Sequence, residues 1–166
     1  MYYYLMKKAI FLAIIIFNQA CIFTPPQESI TLNSIDNSNV NNYSLIKVAK
    51  EQIGTPYRYG GMTPYSGFDC SGFVCYVYKN SLNIRLPRRS IDQSKVGEYV
   101  SKDELIDGDL LFFDTSKRGY INHVGIYLKN GKFIHASSGK VHSVTISDLN
   151  SKFYKRAFRF AKRVVN

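Results

Sequence analysis

The chain has 166 residues, a formal net charge of +10, about 45% hydrophobic residues, and 13 Tyr and 11 Phe among its aromatics. That is one domain's worth of chain with enough apolar material for a core of ordinary size, and three cysteines without paired spacing indicate neither a disulfide framework nor a zinc ribbon. The basic balance suits an anionic partner, but no RNA- or DNA-binding motif accompanies it, so no nucleic-acid role is expected.

Lys7 and Lys8 precede an apolar run from Ala9 to Phe17. The run is too short to span a bilayer, which takes about 20 residues, and fits the core of a secretory signal peptide over residues 1–20. Ala20-Cys21 resembles the cleavage site of a bacterial lipoprotein, with Asn18 and Gln19 where an aliphatic and a small residue are usual. Cys21 is therefore the expected lipidation site, a membrane anchor that does not span. Residues 22–42 contain Pro25-Pro26 and many Ser, Asn and Asp, the composition of a flexible tether reaching about 25 Å. Residues 43–166 are the expected folded domain.

Leu45, Ile46, Val48, Ala49 and Ile53 follow a helical period from Tyr43 to Ile53 that Gly54 ends. A loop dense in Gly, Pro and Tyr (residues 54–61) then leads to Gly67-Phe68-Asp69-Cys70-Ser71-Gly72-Phe73-Val74. Asp69 reads as an N-cap and Cys70 as the start of a buried helix, where the dipole and unpaired N–H groups favour a thiolate. Cys75 lies about 140° round that helix and reads as a small buried hydrophobe. Tyr57 is positioned either to offer a phenol to Cys70 or simply to pack. Ser90 is expected to cap a short helix through Lys95, and Gly108-Asp109 to feed a buried strand. Strands are expected at His123–Leu128, Phe133–Ser137, Val141–Ile146 and Arg156–Val165, giving an α+β domain with its helices packed on an antiparallel sheet.

Lys129-Asn130-Gly131-Lys132 is a hairpin turn whose type decides where two histidines face. A two-residue turn puts His123 and His135 on opposite faces. A three-residue turn with Gly131 left-handed sets His135 opposite Gly125 and His123 opposite Ser137, both rings on one face. Val124, Ile126, Leu128, Ile134 and Ala136 then form a wholly apolar opposite face, which belongs against the core and leaves the histidines at a cleft. The bulged turn is the expected one. Cys70, His123 and His135 supply the thiol, the base and the orienting group of a thiol-hydrolase site. His142 follows a Gly-Lys turn and is assigned no role. Zinc competes for one Cys and two His, but a fourth ligand and short ligand spacing are missing. No metal or cofactor is expected.

Thr55-Pro56-Tyr57-Arg58-Tyr59-Gly60-Gly61, Asp69-Cys70-Ser71-Gly72-Phe73, Leu86-Pro87-Arg88, Gln93, Gly108-Asp109-Leu110, His123-Val124-Gly125-Ile126-Tyr127 and Phe133-Ile134-His135-Ala136 together resemble the NlpC-type cell-wall cysteine endopeptidases, in that family's order. The resemblance runs from about Tyr43 to the C-terminus and is closest to single-domain lipoprotein members. It implies a papain-like fold, with Cys70 as nucleophile, His123 as general base and His135 as the residue orienting it. It also implies Tyr57 at the oxyanion and Asp69 and Ser71 in contact with the peptide, although Asp69 serves equally well as a helix cap. Arg89 departs from the Ser or Thr common after Pro-Arg, and Tyr65 lies in a lengthened loop. The implied activity is a cofactor-free peptidoglycan hydrolase, acting as a monomer on stem peptides or their cross-links from the cell envelope. The alternatives are a silent wall-binding lipoprotein and a related papain-like amidase or acyltransferase.

Overall fold

In the computed structural model of the protein, residues 37–165 are described, with side chains from residue 41 onward. The expected signal peptide, Cys21 and tether residues 22–36 lie outside the described residues. Helix α1 (Asn37–Glu51) buries Leu45 and Ala49 at its helical spacing. It begins six residues before the expected start and ends before Ile53, which is exposed. The chain turns at Gly54, whose φ is +90°, and is tied down by Gly54 N–H to Val144 O and Val144 N–H to Thr55 O.

The residues between Gly61 and Asp69, expected as a loop, form a short hairpin of two-residue strands, β1 (Met62–Thr63) with β2 (Gly67–Phe68). Tyr65 at its tip is fully exposed. Helix α2 (Cys70–Leu82) begins directly after β2 and Asp69, and Asn83 in the left-handed region stops it. Phe73, Val74, Val77 and Tyr78 are its buried stripe. The short helix α3 (Ser90–Gln93) has Arg89, not Ser90, at its cap position and no side-chain cap bond. Ser90 is one residue inside, where its hydroxyl cannot serve the first turn.

Six antiparallel strands make the sheet: β3 (Glu98–Val100), β4 (Leu110–Phe113), β5 (His123–Leu128), β6 (Lys132–Ala136), β7 (Val144–Asp148) and β8 (Phe158–Arg163), in spatial order β3-β8-β4-β5-β6-β7. Ile126 pairs with Ile134 and Leu128 with Lys132, the register of the three-residue turn, with Asn130 and Gly131 both at positive φ. Val124, Ile126, Leu128, Ile134 and Ala136 accordingly lie in the main core with α1 and α2.

The last third corrects the expectation of strands alone. β7 starts three residues later than expected, because the 138–143 segment is spent on a turn with His142 at φ +50°. Helix α4 (Lys152–Ala157) occupies the first part of the expected final strand, capped by Ser151. With Tyr154 and Ala157 it takes part in a second, smaller core of Leu111, Phe113, Phe133, Leu149 and Ala161 on the other sheet face. The histidine face is therefore largely packed over and not an open cleft wall: His135 is fully buried and His123 nearly so.

Candidate active site

Asp69 holds the start of α2. Its Oδ1 accepts from Gly72 N–H at 2.7 Å and its Oδ2 from Gly60 N–H at 2.9 Å. Arg88 grips both carboxylate oxygens and also donates to Ser71 Oγ at 2.9 Å. Burial opposes ionisation of Asp69, but the Arg88 and backbone hydrogen bonds prevail and hold the carboxyl below its usual range. Gly72 is required by close approach, since a Cβ there would stand 2.1 Å from Gly61 O. The glycine-rich loop before Cys70 is thus clamped to the first turn of α2, and Tyr57 with it, through Tyr57 N–H to His142 O and its bridge to Phe68.

Cys70 projects from this turn toward the start of β5. Its Sγ lies 4.0 Å from Asn122 O and faces the backbone N–H of Val124, so the sulfur meets the residues on either side of His123. Burial and then the Asp69 charge push the thiol up to about 11, against the N–H groups of Val124, Ser71 and Cys70, which favour the thiolate. The expected helix-start thiolate is therefore corrected: desolvation outweighs the helix terminus and the resting group is a thiol. Cys75 is buried, within 3.5 Å of Leu86 O and Pro87 O, and plays the packing part expected of it.

His123 and His135 share the expected face and bond directly, His123 Nε2 to His135 Nδ1 at 2.8 Å, with their rings at 88°. Gly125 makes the arrangement possible. A Cβ there would come within 2.7 Å of Phe133 and 3.2 Å of His135 Cβ, so the space is taken by those side chains and not by a substrate. Burial holds His123 down to about 4; burial, then the neighbouring His123, holds His135 down to about 2. Both rings rest neutral.

A groove of about 660 Å³ runs past Cys70, lined also by Tyr57, Asp69, Ser71, Arg88 and Tyr120. A smaller hollow of about 170 Å³ is lined by His123 together with Thr115, Ser137, Ser138, Phe153 and Tyr154. A larger hollow between α1 and residues 105–107 shares no residue with either. Burial, then the nearby Cys70 and Asp69, push the Tyr57 phenol up, so it remains a hydrogen-bond donor in the groove. His142 is exposed with its ring 5.3 Å from that of Tyr57. Among the described residues no group of three or more His, Cys, Asp and Glu is placed to hold a metal ion.

The structure thus brings Tyr57, Asp69, Cys70, Ser71, His123 and His135 into one neighbourhood, while Cys21 is outside the described residues. Sequence reasoning missed Arg88 as the partner of Asp69, Asn122 as the carbonyl under the thiol, and the hydroxyls of Ser147 and Tyr154 at the far end of the histidine pair. Only Ser147 left a trace, since on a correctly placed β7 it shares the face of Thr145, the cross-strand partner of His135.

Helices α1 and α2 packed on one face of an antiparallel sheet, with the cysteine at a helix start and the histidines on adjacent strands, constitute a papain-like α+β fold. The model of the NlpC/P60 family matches residues 54–163, and the chain belongs to that family. It is 37% identical over 149 residues to murein DD-endopeptidase MepH of Escherichia coli K12, an alignment covering 87% of this chain and 55% of the relative. It is 45% identical over 111 residues to the probable endopeptidase NlpC of the same organism, covering 67% of this chain and 70% of the relative. This chain therefore spans little more than half the length of MepH. Among solved structures, an NlpC/P60 family protein from Bacillus cereus ATCC 10987 superposes with a TM-score of 0.70 at 36% identity, over 75% of this chain and 40% of that one.

Proposed function

We propose that the protein is a peptidoglycan hydrolase that cuts amide bonds in stem peptides or their cross-links through a thioester on Cys70. The observation that carries this reading is the placement of the Cys70 sulfur against the backbone flanking His123, whose far nitrogen is occupied by His135. With Nε2 engaged, Nδ1 is the His123 nitrogen left to exchange a proton with the thiol. Cys70 Sγ attacks the scissile carbonyl while its proton passes to His123 Nδ1. The oxyanion accepts hydrogen bonds from the Tyr57 hydroxyl and the Cys70 N–H, both at the groove. Collapse breaks the C–N bond, and His123 returns the proton to the leaving amine. A water then gives a proton to His123 as its oxygen attacks the thioester; the C–S bond breaks and the sulfur recovers its proton. One water is consumed and no redox change occurs. Asp69 and Ser71, fixed by Arg88, form the wall beside Cys70 and contact the peptide.

The murein endopeptidase activity named for MepH supports the substrate class and an exported, envelope location. Within that class we place the cleavage in stem peptides or at cross-links, and Cys21 as a lipid anchor. The test is incubation of the full chain with purified peptidoglycan and mass analysis of released muropeptides. New stem-peptide termini that are absent with Cys70→Ala are expected. Identical products from both proteins, or binding to the wall without products, would overturn the reading, the second in favour of a silent wall-binding protein.

A further inference from the structure

The histidine pair does not end at His135. His135 Nε2 lies 2.9 Å from Ser147 Oγ on β7 and 3.4 Å from Tyr154 Oη on α4. The Tyr154 hydroxyl in turn neighbours the Ser147 and Ser137 hydroxyls. His135 is fully buried and Ser147 part-buried, so the direction in which each proton points is set inside the protein.

A neutral imidazole has one donor nitrogen and one acceptor. The single proton between His123 Nε2 and His135 Nδ1 therefore belongs to one ring or the other, and each choice fixes the rest of the chain. If His123 donates, His135 Nδ1 accepts and His135 Nε2–H must donate onward. His123 Nδ1 then carries a lone pair and can take the thiol proton. If a hydroxyl donates to His135 Nε2, His135 Nδ1–H donates to His123. His123 Nδ1 then carries the hydrogen and cannot act as a base. Where a carboxylate stands third it can only accept, and the choice is forced. Here the third group is another imidazole, which settles nothing by itself, so the hydroxyls beyond it decide.

We propose that Ser147 is a positioning residue that sets the tautomer of the His123–His135 pair: its hydroxyl accepts from His135 Nε2–H and donates its own proton to Tyr154 Oη, leaving His123 Nδ1 free as the base. This rests on the reading of His123 as the general base. Ser147 touches neither substrate nor sulfur and acts through two rings. Tyr154 completes the route, and its ring packs edge-on against Phe113, Phe133 and His135, which holds the hydroxyl in place.

The experiment joins a tautomer measurement to kinetics on the full chain. In protein labelled with nitrogen-15 at histidine, the wild-type His123 ring should show Nε2 protonated and Nδ1 bare. Ser147→Ala should bring the two tautomers to comparable populations and lower kcat about twofold, since one lost hydrogen bond of ordinary strength shifts their ratio by up to about tenfold, with KM unchanged. Ser147→Thr, which keeps a hydroxyl, should restore both. Tyr154→Phe keeps the ring packing and removes the proton's destination, so it should mix the tautomers as well. A wild-type His123 protonated at Nδ1, or a Ser147→Ala spectrum and kcat equal to wild type, overturns the proposal. Because the tautomer is read without substrate, failure of the wild type to cleave peptidoglycan would refute the proposed reaction while the spectra still decide the role of Ser147.

Discussion

Replacing Asp69 by Asn removes one charge from the best-connected point of the site and little else. Asn caps helices about as well as Asp, so the bond from Gly72 N–H is kept. The losses are the ion pair with Arg88 and one acceptor, because the new NH₂ faces the Gly60 N–H and the guanidinium. Hydrogen bonds to charged groups contribute about 1.5–3 kcal/mol each when dry. The Asp69 side chain is only 10% exposed, but that of Arg88 is 36% exposed, so water recovers part of the loss. The expected destabilisation is about 2 kcal/mol near pH 7, roughly 6–10 °C in Tm for a domain of this size. The sign of the pH dependence comes from the Asp69 carboxyl, held below its unfolded value of 3.8. The native state is then favoured above that value, and the benefit disappears as pH falls through the lower, folded value. The Tm gap between wild type and Asp69→Asn should be widest at neutrality and close in acid. Because the Asp69 charge also raises the Cys70 thiol, the variant should react faster with iodoacetamide at Cys70 at a fixed mildly alkaline pH, read residue by residue by mass spectrometry. Equal Tm at pH 7 together with an unchanged alkylation rate would refute the reasoning about this pair.

Two more outcomes rest on the same site. With His123 held down to about 4 and Cys70 up to about 11, kcat/KM should rise on an acid limb near 4, stay level through neutrality and fall only toward 11. An acid limb near the ordinary imidazole value of 6.5 would show that the ring is more hydrated than this packing allows. The same burial makes the unfolded chain take up protons before the native one, so global stability should decline as pH drops from 6.5 toward the folded value. Gly72→Ala places a Cβ 2.1 Å from Gly61 O and 3.0 Å from Asp69 Oδ1, so the first turn of α2 must move off its clamp. About 2–3 kcal/mol of stability and roughly 100-fold in kcat should go, since misplacing a reacting group by about 1 Å has that effect. Wild-type unfolding and turnover in that variant would show that the loop does not hold the thiol.

The parts legible in the sequence are those decided by neighbours along the chain. Asp69 two residues before Ser71 and three before Gly72 specifies a cap, and the hydrophobic stripe from Phe73 to Tyr78 specifies the buried helix that the cap begins. The hairpin register was legible because only one turn geometry puts five apolar side chains on one face, and β5 and β6 pair that way. Helix α4 was not legible. It is six residues long, merges into β8 without a break, and is secured by Tyr154 packing on Phe113 and Phe133, some 20–40 residues away in the chain. For the same reason the charge states of the site could not be read: the neutral imidazoles result from burial on the face that α4 helps close, and the neutral thiol from burial of Cys70 against the main core, which no local pattern records. Arg88 carried a local signal for a turn only, and its role is set by a partner 19 residues earlier.

The nucleophile and the base are carried by different layers, Cys70 by the helical layer and His123 by the sheet, and they meet at the backbone of residues 122–124. Within that short run the side chains diverge. Val124 points into the main core beneath α2, whereas His123 points to the other face, where His135 waits. A slip of one residue in β5 would send His123 into the core and Val124 toward His135, so the chemistry depends on register as much as on side-chain identity. That register is fixed at the far end of the hairpin, where Asn130 and Gly131 both take positive φ and allow the three-residue turn. Gly131 is held there by Leu149 N–H donating to its carbonyl and by the Tyr127 hydroxyl accepting from its own N–H. The turn lies beyond the last paired residues of β5 and β6, yet it decides which face of the sheet each histidine occupies.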